Sequence, residues 1–232
     1  GTPRDRNRAR TMAEITRIGR EHLAADGAAA LSLRAVARDL GVVSSAVYRY
    51  VRNRDDLLTL LVVDAYAELA GAVEVAVAPV SVSVEAYTER FRVIVRTVRT
   101  WALAEPARWA LLYGSPVPGY AAPAEQTTEP GTRVMRRLVE LIDRAATDGV
   151  VVAHPAPVLG RKLAADLRRI RREFGLGATD DALLARAVMV WSSLLGVISA
   201  EVFGAYGAVF TAPDQLFERQ VALLIETLGL PQ

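Results

Sequence analysis

Apolar residues recur at intervals of three and four along most of this 232-residue chain. That spacing places them on one face of an α-helix, and the alternation typical of a half-buried strand is scarce. We therefore predict an all-α fold with a glycine cap at Gly27, a tight turn at Gly41 and a long loop at 114–131. The predicted helices span residues 8–25, 33–40, 44–51, 55–77, 85–104, 106–113, 132–148, 157–174, 180–206 and 213–228.

Composition excludes several classes of protein. The chain has no cysteine and only two histidines, His22 and His154, which disfavours a disulfide framework, a thiolate metal site and a histidine-rich metal centre. The longest uncharged stretches, 109–124 and 187–200, are shorter than the roughly 20 apolar residues that cross a bilayer. The N-terminus also lacks the apolar core of a signal peptide. We expect a cytoplasmic protein with no cofactor, no metal and no membrane partner.

Charge is distributed unevenly along the chain. Residues 1–56 carry eleven arginines and seven acidic residues, a net charge of +4, whereas the remainder has a net charge of −2. A GC-rich genome would explain the preference for arginine over lysine, but it would not explain this asymmetry. A basic N-terminal segment joined to a mildly acidic body predicts a polyanionic partner at one end only.

Residues 33–51 have the pattern of a helix-turn-helix, with two short predicted helices joined at Gly41. In the second helix, Val43, Val47 and Val51 recur at a spacing of four and predict a packing stripe. The opposite face carries short hydroxyls and a guanidinium, which can approach phosphates and base edges. The residues predicted to face outward are Ser44, Ser45, Tyr48 and Arg49.

The segment 32–58 resembles the DNA-binding signature of the TetR family of bacterial transcriptional repressors. The shared pattern is a hydroxyl cap, a Val-Ala pair, Leu-x-Gly-Val, Tyr-x-Tyr, and a basic residue before an acidic-Leu helix start. Two positions depart from it, because Arg54 replaces the usual lysine and Val43 stands where many members have serine. The matching residues are Ser32, Val36, Ala37, Gly41, Val42, Tyr48, Tyr50, Arg54 and Leu57.

This resemblance implies a three-helix DNA-binding domain at residues 1–56 and a larger helical ligand-binding and dimerisation domain at 57–232, connected by helix 55–77. The implied partners are a double-stranded DNA operator, a second copy of the chain and an unknown small-molecule ligand. For Tyr50, packing against the first helix is the alternative to a phosphate contact. The residues predicted to contact DNA are Ser32, Arg34, Ser44, Ser45, Ala46, Tyr48, Arg49, Tyr50 and Arg54.

Four arginines, Arg4, Arg6, Arg8 and Arg10, recur at a spacing of two around the start of the first predicted helix. They predict either an arm that follows phosphates or enters a minor groove, or a solvated disordered tail. Residues 1–3 lack an initiator methionine and resemble a cloning or processing remnant, so they are left out of the fold prediction.

In the C-terminal part, the segment 191–196 is similar to a Trp-x-x-x-His-Gly motif of one TetR subgroup. Leu195 replaces the histidine, so any polar role of that histidine is absent here. Aromatic side chains could line a ligand cavity or simply fill the core. The residues predicted to bind a ligand are Phe91, Trp101, Tyr113, Tyr120, Met135 and Trp191.

Small residues at a spacing of four predict a helix face that another helix can approach closely. Together with the apolar face of the last helix, this face could form a four-helix dimer interface; burial within one monomer is the alternative. The residues predicted at the interface are Ser192, Gly196, Ala200, Leu216, Val221, Leu224 and Leu228.

We therefore predict a dimeric, ligand-responsive transcriptional repressor that binds a palindromic or pseudo-palindromic operator and is released by a small molecule. One alternative is a DNA-binding regulator without an inducer. The other is an all-helical enzyme, which the sequence disfavours because it contains no close nucleophile–base pair, glycine-rich phosphate loop or metal-ligand spacing. His154 lies beside Pro155 in a predicted loop.

Overall fold

The structure is a computed structural model that describes residues 1–81, 83–152 and 158–231. These residues form helices and no β-strand, which confirms the predicted all-α fold. Two single-turn 3-10 helices, Ala28–Ala30 and Val84–Ala86, lie between longer elements. The α-helices are α1 (Pro3–Asp26), α2 (Leu33–Asp39), α3 (Ser44–Val47), α4 (Arg54–Val77), α5 (Tyr87–Ala104), α6 (Pro106–Tyr113), α7 (Ala124–Thr147), α8 (Arg161–Phe174), α9 (Asp181–Val202) and α10 (Pro213–Leu228).

Helix α1 begins five residues earlier than predicted, so the N-terminal arginines are helical and form neither an extended arm nor a disordered tail. Thr2 caps the helix: its Oγ1 accepts from the N–H of Asp5 at 3.2 Å, and its own N–H donates to the Asp5 carboxylate at 2.8 Å. Pro3 occupies the first turn, where its missing N–H costs nothing. Residues 1–3 therefore belong to the folded structure.

Prolines explain both the correct and the incorrect helix bounds. Pro106 and Pro213 begin α6 and α10, as predicted. Pro130, however, lies inside α7, so the predicted loop at 114–131 is shorter and the helix begins at Ala124. An interior proline removes one backbone hydrogen bond, and the helix continues through that loss. The predicted start of α8 at Pro157 and the loop residue His154 lie outside the described residues.

The chain divides into two compact units. The first comprises residues 1–69 and 104–131, and the second comprises 70–103 and 132–232. Helices α4 and α7 each contribute residues to both units, and α6 belongs to the first. The boundary between the structural units therefore does not fall at residue 56. The division into a DNA-binding domain at 1–56 and a ligand-binding domain at 57–232 stays a prediction.

The first unit has a core formed where α1, α2 and the beginning of α4 meet. Ile15, Ile18 and Val36 are buried there together with Leu57 and Leu61. Gly19 lies against Leu61, whose side chain would come within 3.2 Å of an added Cβ. The close approach of α1 and α4 therefore depends on a small residue at this position.

A charged cluster ties α1, α4 and α6 together in the first unit. Arg108 is only 3% exposed, and its guanidinium lies 2.7 Å from Glu68, 3.1 Å from Asp64 and 3.6 Å from Glu105. Arg20 of α1 contacts two of the same carboxylates, Asp64 at 2.6 Å and Glu68 at 3.0 Å. The charge of the buried Arg108 guanidinium is thus compensated by two carboxylates of α4 and by Glu105 at the start of α6, and Arg20 ties α1 to the same α4 carboxylates.

The second unit contains a half-buried carboxylate, that of Asp143, which organises the start of α9. Asp143 accepts backbone N–H groups from Gly177, Ala178 and Thr179 at 3.2, 3.0 and 2.7 Å. Desolvation acts to raise the pKa of Asp143, but the hydrogen bonds from these three residues outweigh it and hold the pKa below its usual 3.8. Asp180 then caps α9 by accepting the N–H of Leu183 at 2.7 Å.

One helix among the described residues, α9, is long and apolar enough to cross a membrane by length and composition alone. Its most apolar window has a mean hydropathy of 1.7, and 33% of that window is buried in the protomer. From sequence this helix was predicted at 180–206, but only its uncharged stretch, 187–200, was compared with the length that crosses a bilayer. Core helices of water-soluble proteins meet the same criterion, so α9 carries no membrane assignment.

Candidate nucleic-acid interface

Gly41 forms the turn between α2 and α3. Its φ is +71°, in the left-handed region that residues with a Cβ rarely adopt. The N–H of Gly41 donates to the carbonyl of Arg38 at 3.0 Å, and that of Val42 donates to Ala37 at 3.1 Å. These bonds close the end of α2 and direct the chain into α3, as the helix-turn-helix pattern predicted.

Two valines determine which face of α3 is buried. Val47 and Val51 are almost fully buried in the core of the first unit. Val43 was predicted to extend this stripe, but it is 71% exposed. It is the N-cap of α3, with an extended backbone at φ −68° and ψ 143°, so the helical spacing of four does not apply to it. Its side chain joins the outward surface, where an apolar group can contact a thymine methyl.

The recognition helix is shorter than the predicted 44–51, because α3 ends at Val47 and a turn follows at 48–50. The N–H of Tyr48 still donates to the carbonyl of Ser44 at 3.1 Å, so this turn continues in the helical sense. The residues of this segment that were predicted to contact DNA therefore share one outward side. Ser45, Tyr48 and Arg49 are exposed, and Ser44 and Ala46 are half-buried.

The beginning of α2 contributes two further predicted DNA contacts to the same unit. Ser32 is the N-cap of α2, and its hydroxyl makes no capping hydrogen bond to the helix. Arg34 is exposed in the first turn and forms no ion pair with a carboxylate of the described residues. Both positions suit contacts to a phosphate backbone.

Two of the predicted phosphate contacts also hold the unit together. The guanidinium of Arg54 donates to the carbonyls of Ala28 and Ala29 at 2.9 and 3.1 Å, which ties α4 to the turn after α1. Tyr50 is half-buried, and the guanidinium of Arg8 in α1 lies 5.5 Å from its ring centroid. The Tyr50 ring therefore packs against the first helix, which sequence analysis gave as the alternative to a phosphate contact.

The arginines of residues 1–56 fall into two groups according to their ion pairs. Five pair with carboxylates: Arg17, Arg20, Arg38, Arg52 and Arg54. The other six form no ion pair with any described carboxylate, so their charge is available to an external anion. These six are Arg4, Arg6, Arg8, Arg10, Arg34 and Arg49.

Comparison with known proteins identifies the family. Residues 91–224 match the family model described as "Tetracyclin repressor-like, C-terminal domain". The HTH-type transcriptional regulator Rv1816 of Mycobacterium tuberculosis is 44% identical over 223 residues, which cover 96% of this chain and 94% of the relative. This chain belongs to the TetR family. The N-terminal resemblance and the match over residues 91–224 thus point to the same family.

Solved structures agree with the assignment of this chain to the TetR family. The crystal structure of a regulatory protein named SCO4313 is 32% identical, covers 97% of this chain and 100% of its own, and superimposes with a TM-score of 0.75. A TetR-family regulatory protein from Rhodococcus RHA1 has 18% identity and a TM-score of 0.61, covers 95% of this chain and 98% of its own, and supports the fold alone.

The predicted ligand-binding residues of this TetR-family regulator are divided between its two units. Phe91 and Trp101 are buried in the second unit, where Met135 and Trp191 are half-buried. Tyr113 and Tyr120 belong to the first unit. There the Tyr113 ring packs against Trp109 and Tyr66 at centroid distances of 4.5 and 6.1 Å, and burial raises its pKa. The hydroxyl of Tyr120 lies 3.0 Å from that of Thr59. The assignment of these six residues to a ligand site therefore stays a prediction.

Helix α9 presents the predicted small-residue stripe to the outside of the protomer. Ser192 and Gly196 are exposed and Ala200 is half-buried. A Cβ added at Gly196 would meet no atom within 4 Å, so this position lies in open space. Val188 and Met189 are also exposed, at 40% and 48%, and extend the same helix surface with apolar groups.

Helix α10 differs from the prediction. Val221, Leu224 and Leu228 are buried within the protomer, at 0%, 7% and 0% exposure, so they pack in the core of the second unit. The apolar side chains that α10 leaves accessible are Leu216, which is half-buried, and Leu223, which is 46% exposed. The periodicity identified an apolar helix, but the assignment of its inner and outer faces is corrected here.

Proposed function

We propose that this TetR-family regulator is a homodimeric repressor that binds a palindromic or pseudo-palindromic DNA operator through two copies of the surface around α3. The observation that carries this proposal is the combination of an exposed α3 surface with six arginines that lack a carboxylate partner. Cations without internal partners can neutralise phosphates and release counterions, which supplies affinity for DNA of any sequence. Sequence discrimination then falls to the side chains that enter the groove.

Val43, Ser45, Tyr48 and Arg49 are the proposed groove residues. Arg49 can donate two parallel hydrogen bonds to the O6 and N7 atoms of guanine, and Ser45 can bond to either kind of base edge. Val43 supplies the apolar contact that sequence analysis had assigned to the core. The proposed phosphate contacts are Arg4, Arg6, Arg8 and Arg10 of α1 together with Ser32 and Arg34 at the start of α2, flanking this surface in the same unit.

Dimerisation follows from the limited area of a single recognition surface. Two surfaces joined by one dimer contact half-sites about 34 Å apart and thereby multiply the contact area. The accessible apolar side of α9, from Val188 and Met189 to Gly196, is the proposed partner surface, with Leu223 of α10 beside it. Because Gly196 has open space above it, Gly196→Arg should leave the protomer folded and shift it to monomer in light scattering, whereas a persistent dimer would reject this surface.

A small-molecule effector would control the regulator by binding one conformation of the dimer better than the other. Its effect on operator binding cannot exceed its differential affinity for those two conformations. The competing proposal is a DNA-binding regulator without an inducer. The low-molecular-mass fraction of a cell extract should release a bound operator from the protein if the ligand-responsive proposal is correct. The proposed localisation of such a regulator is the cytoplasm, where its operator is accessible.

The operator itself can be found by selecting bound sequences from a random DNA pool. With the selected DNA, Arg49→Ala and Tyr48→Ala should each weaken sequence-specific binding by about tenfold or more, measured by fluorescence anisotropy. Arg17→Ala is the matched control, because Arg17 is exposed in α1 but already paired with Glu14 and Glu21. Unchanged sequence-specific binding by both Arg49→Ala and Tyr48→Ala would show that this surface does not read the operator.

A further inference from the structure

The second unit contains a cavity of about 230 Å³ that none of the residues predicted from sequence to bind a ligand lines. It lies between the C-terminal end of α4, the first half of α5 and the second half of α7. Its inner wall is apolar: Val73, Ile94 and Leu141 line it and are all nearly fully buried. A wall of this kind favours a ligand with an apolar body.

The cavity also has a basic side, formed by Arg90 of α5 and by Arg137 and Arg144 of α7. Arg137 and Arg144 are seven residues apart, which is close to two helical turns, so they project from one face of α7. Three guanidiniums around one small cavity form a positively charged site for an anion.

The two carboxylates at the cavity leave this charge incompletely neutralised. Glu74 is bound by Arg133 at 2.9 Å and lies 3.8 Å from Arg137. Glu140 lies 3.6 Å from Arg137. Both Arg137 distances exceed hydrogen-bond length, so the donors of Arg137 are not used by these carboxylates.

Arg90 and Arg144 form no ion pair with any carboxylate that the structure describes. One guanidinium nitrogen of Arg90 donates to the carbonyl of Val80 at 2.8 Å, which orients the side chain while leaving its charge unbalanced. Tyr87, also in the cavity wall, donates its O–H to Asp148 at 2.5 Å. That bond raises the pKa of Tyr87 and keeps the phenol neutral, while the accepting Asp148 carboxylate lies outside the residues that line the cavity.

We propose that this cavity binds a small carboxylate with an apolar body, whose carboxylate lies among Arg90, Arg137 and Arg144 and whose apolar part contacts Val73, Ile94 and Leu141. The size of the cavity limits the ligand. An enclosed apolar cavity of about 150 Å³ holds a benzene molecule, and drug-sized ligands occupy about 300–1,000 Å³. The 230 Å³ here therefore suits one aromatic ring or a short acyl chain with one carboxylate. This inference deepens the proposed ligand-responsive function and rests on it for its regulatory meaning.

Calorimetric titration of the protein without DNA tests the site directly. Benzoate and hexanoate are the probes, and benzamide and hexanamide are their uncharged counterparts. At least one acid should bind with a Kd below about 10 mM, and the corresponding amide should bind about tenfold or more weakly, because it cannot form charge-assisted bonds with the guanidiniums. Absence of binding by both acids in this range, or equal binding of acid and amide, would overturn the proposal.

Variants locate the bound acid in the cavity. Arg144→Gln should weaken binding of the acid about tenfold or more, since it removes a charged donor from an exposed position without disturbing the core. Arg161→Gln, which removes an exposed charge from the first turn of α8, is the matched control and should bind as the unaltered protein does. Val77→Trp places a bulky ring in the cavity and should abolish binding while the three arginines remain. Binding unaffected by both cavity variants would place the acid elsewhere and reject the assignment.

The outcome is separable from that of the proposed function. If the acids fail to bind but the selected operator binds and depends on Arg49, only the cavity assignment is wrong. If the acids bind in the cavity but no DNA is selected, the proposed regulator function is wrong and the cavity assignment stands. Release of the operator by the acid, and not by its amide, is the result expected when both are correct.

Discussion

The buried Arg108 guanidinium offers the most quantitative test of how the first unit is held together. Arg108→Met keeps most of the aliphatic volume and removes the charge. Of the three carboxylates around it, Asp64 and Glu68 then keep their contacts with Arg20, whereas Glu105 loses its contact with Arg108. The variant therefore leaves an excess of negative charge where α4 and α6 meet.

The expected magnitude follows from the exposure of these groups. Removing one partner of a buried ion pair costs about 3–5 kcal/mol. Arg108 is 3% exposed, but the carboxylates are 22–43% exposed, so water can solvate part of the charge left behind. Arg20 also keeps its two hydrogen bonds to Asp64, at 2.7 and 2.6 Å. We therefore expect a loss at the lower end, about 3 kcal/mol, which lowers Tm by roughly 6–12 °C in a protein of this size.

Thermal unfolding followed by circular dichroism measures this loss, at one fixed protein concentration because the Tm of a protein that self-associates depends on concentration. Arg17→Met is the control on α1. Arg17 makes two ion pairs, with Glu14 at 3.0 Å and Glu21 at 2.6 Å, but it is 54% exposed, and such surface pairs contribute less than about 1 kcal/mol. Equal Tm values for the two variants would refute the reasoning that burial gives the Arg108 cluster its importance.

Further predictions concern the turn at Gly41 and the carboxylate of Asp143. Gly41→Ala forces a Cβ into the left-handed region and should destabilise the protein by about 1–2 kcal/mol in urea unfolding, with no loss for Gly71→Ala, which lies in open space inside α4. Asp143→Ala removes the acceptor of three N–H groups and should cost about 2 kcal/mol at pH 7. Because the folded-state pKa of Asp143 lies below the unfolded value, its contribution is fully present above about pH 4 and is lost as pH falls through the lowered pKa. The Tm difference between Asp143→Ala and the unaltered protein should therefore disappear in acid; a difference that persists unchanged at pH 2 would contradict this.

The helices were predictable where local signals determine them. The bounds of α6 and α10 follow from Pro106 and Pro213, and the ends of α1 and α10 follow from Gly27 and Gly229, which both adopt positive φ. The same local reasoning failed at Pro130, because proline marks a boundary only when the chain on its N-terminal side is not itself helical. Residues 124–129 are helical, and none of them is by itself a sequence signal for a helix start.

The buried side of a helix was less predictable than the position of the helix, and Val43 shows the reason. Periodicity assigns a side chain to a face only within a regular helix, and Val43 precedes the first helical turn. Sequence alone could not point to the residues that line the cavity of the second unit, for a different reason. Phe91 and a cavity-lining residue such as Ile94 are both apolar, both on α5 and both buried, and only the three-dimensional packing decides which of them borders empty space.

Charge counting needed the structure for a related reason. The net charge of +4 on residues 1–56 predicts a polyanion partner, but a net value does not show which cations remain available. Arg38 and Arg52 are strongly exposed yet bound to Asp39 and Asp56, whereas Arg49 is exposed without a carboxylate partner among the described residues. An arginine that already has a partner must exchange one anion for another when DNA arrives, so it contributes less to binding than its charge suggests. The DNA-binding potential of such a domain therefore depends on the pairing of its cations rather than on their number.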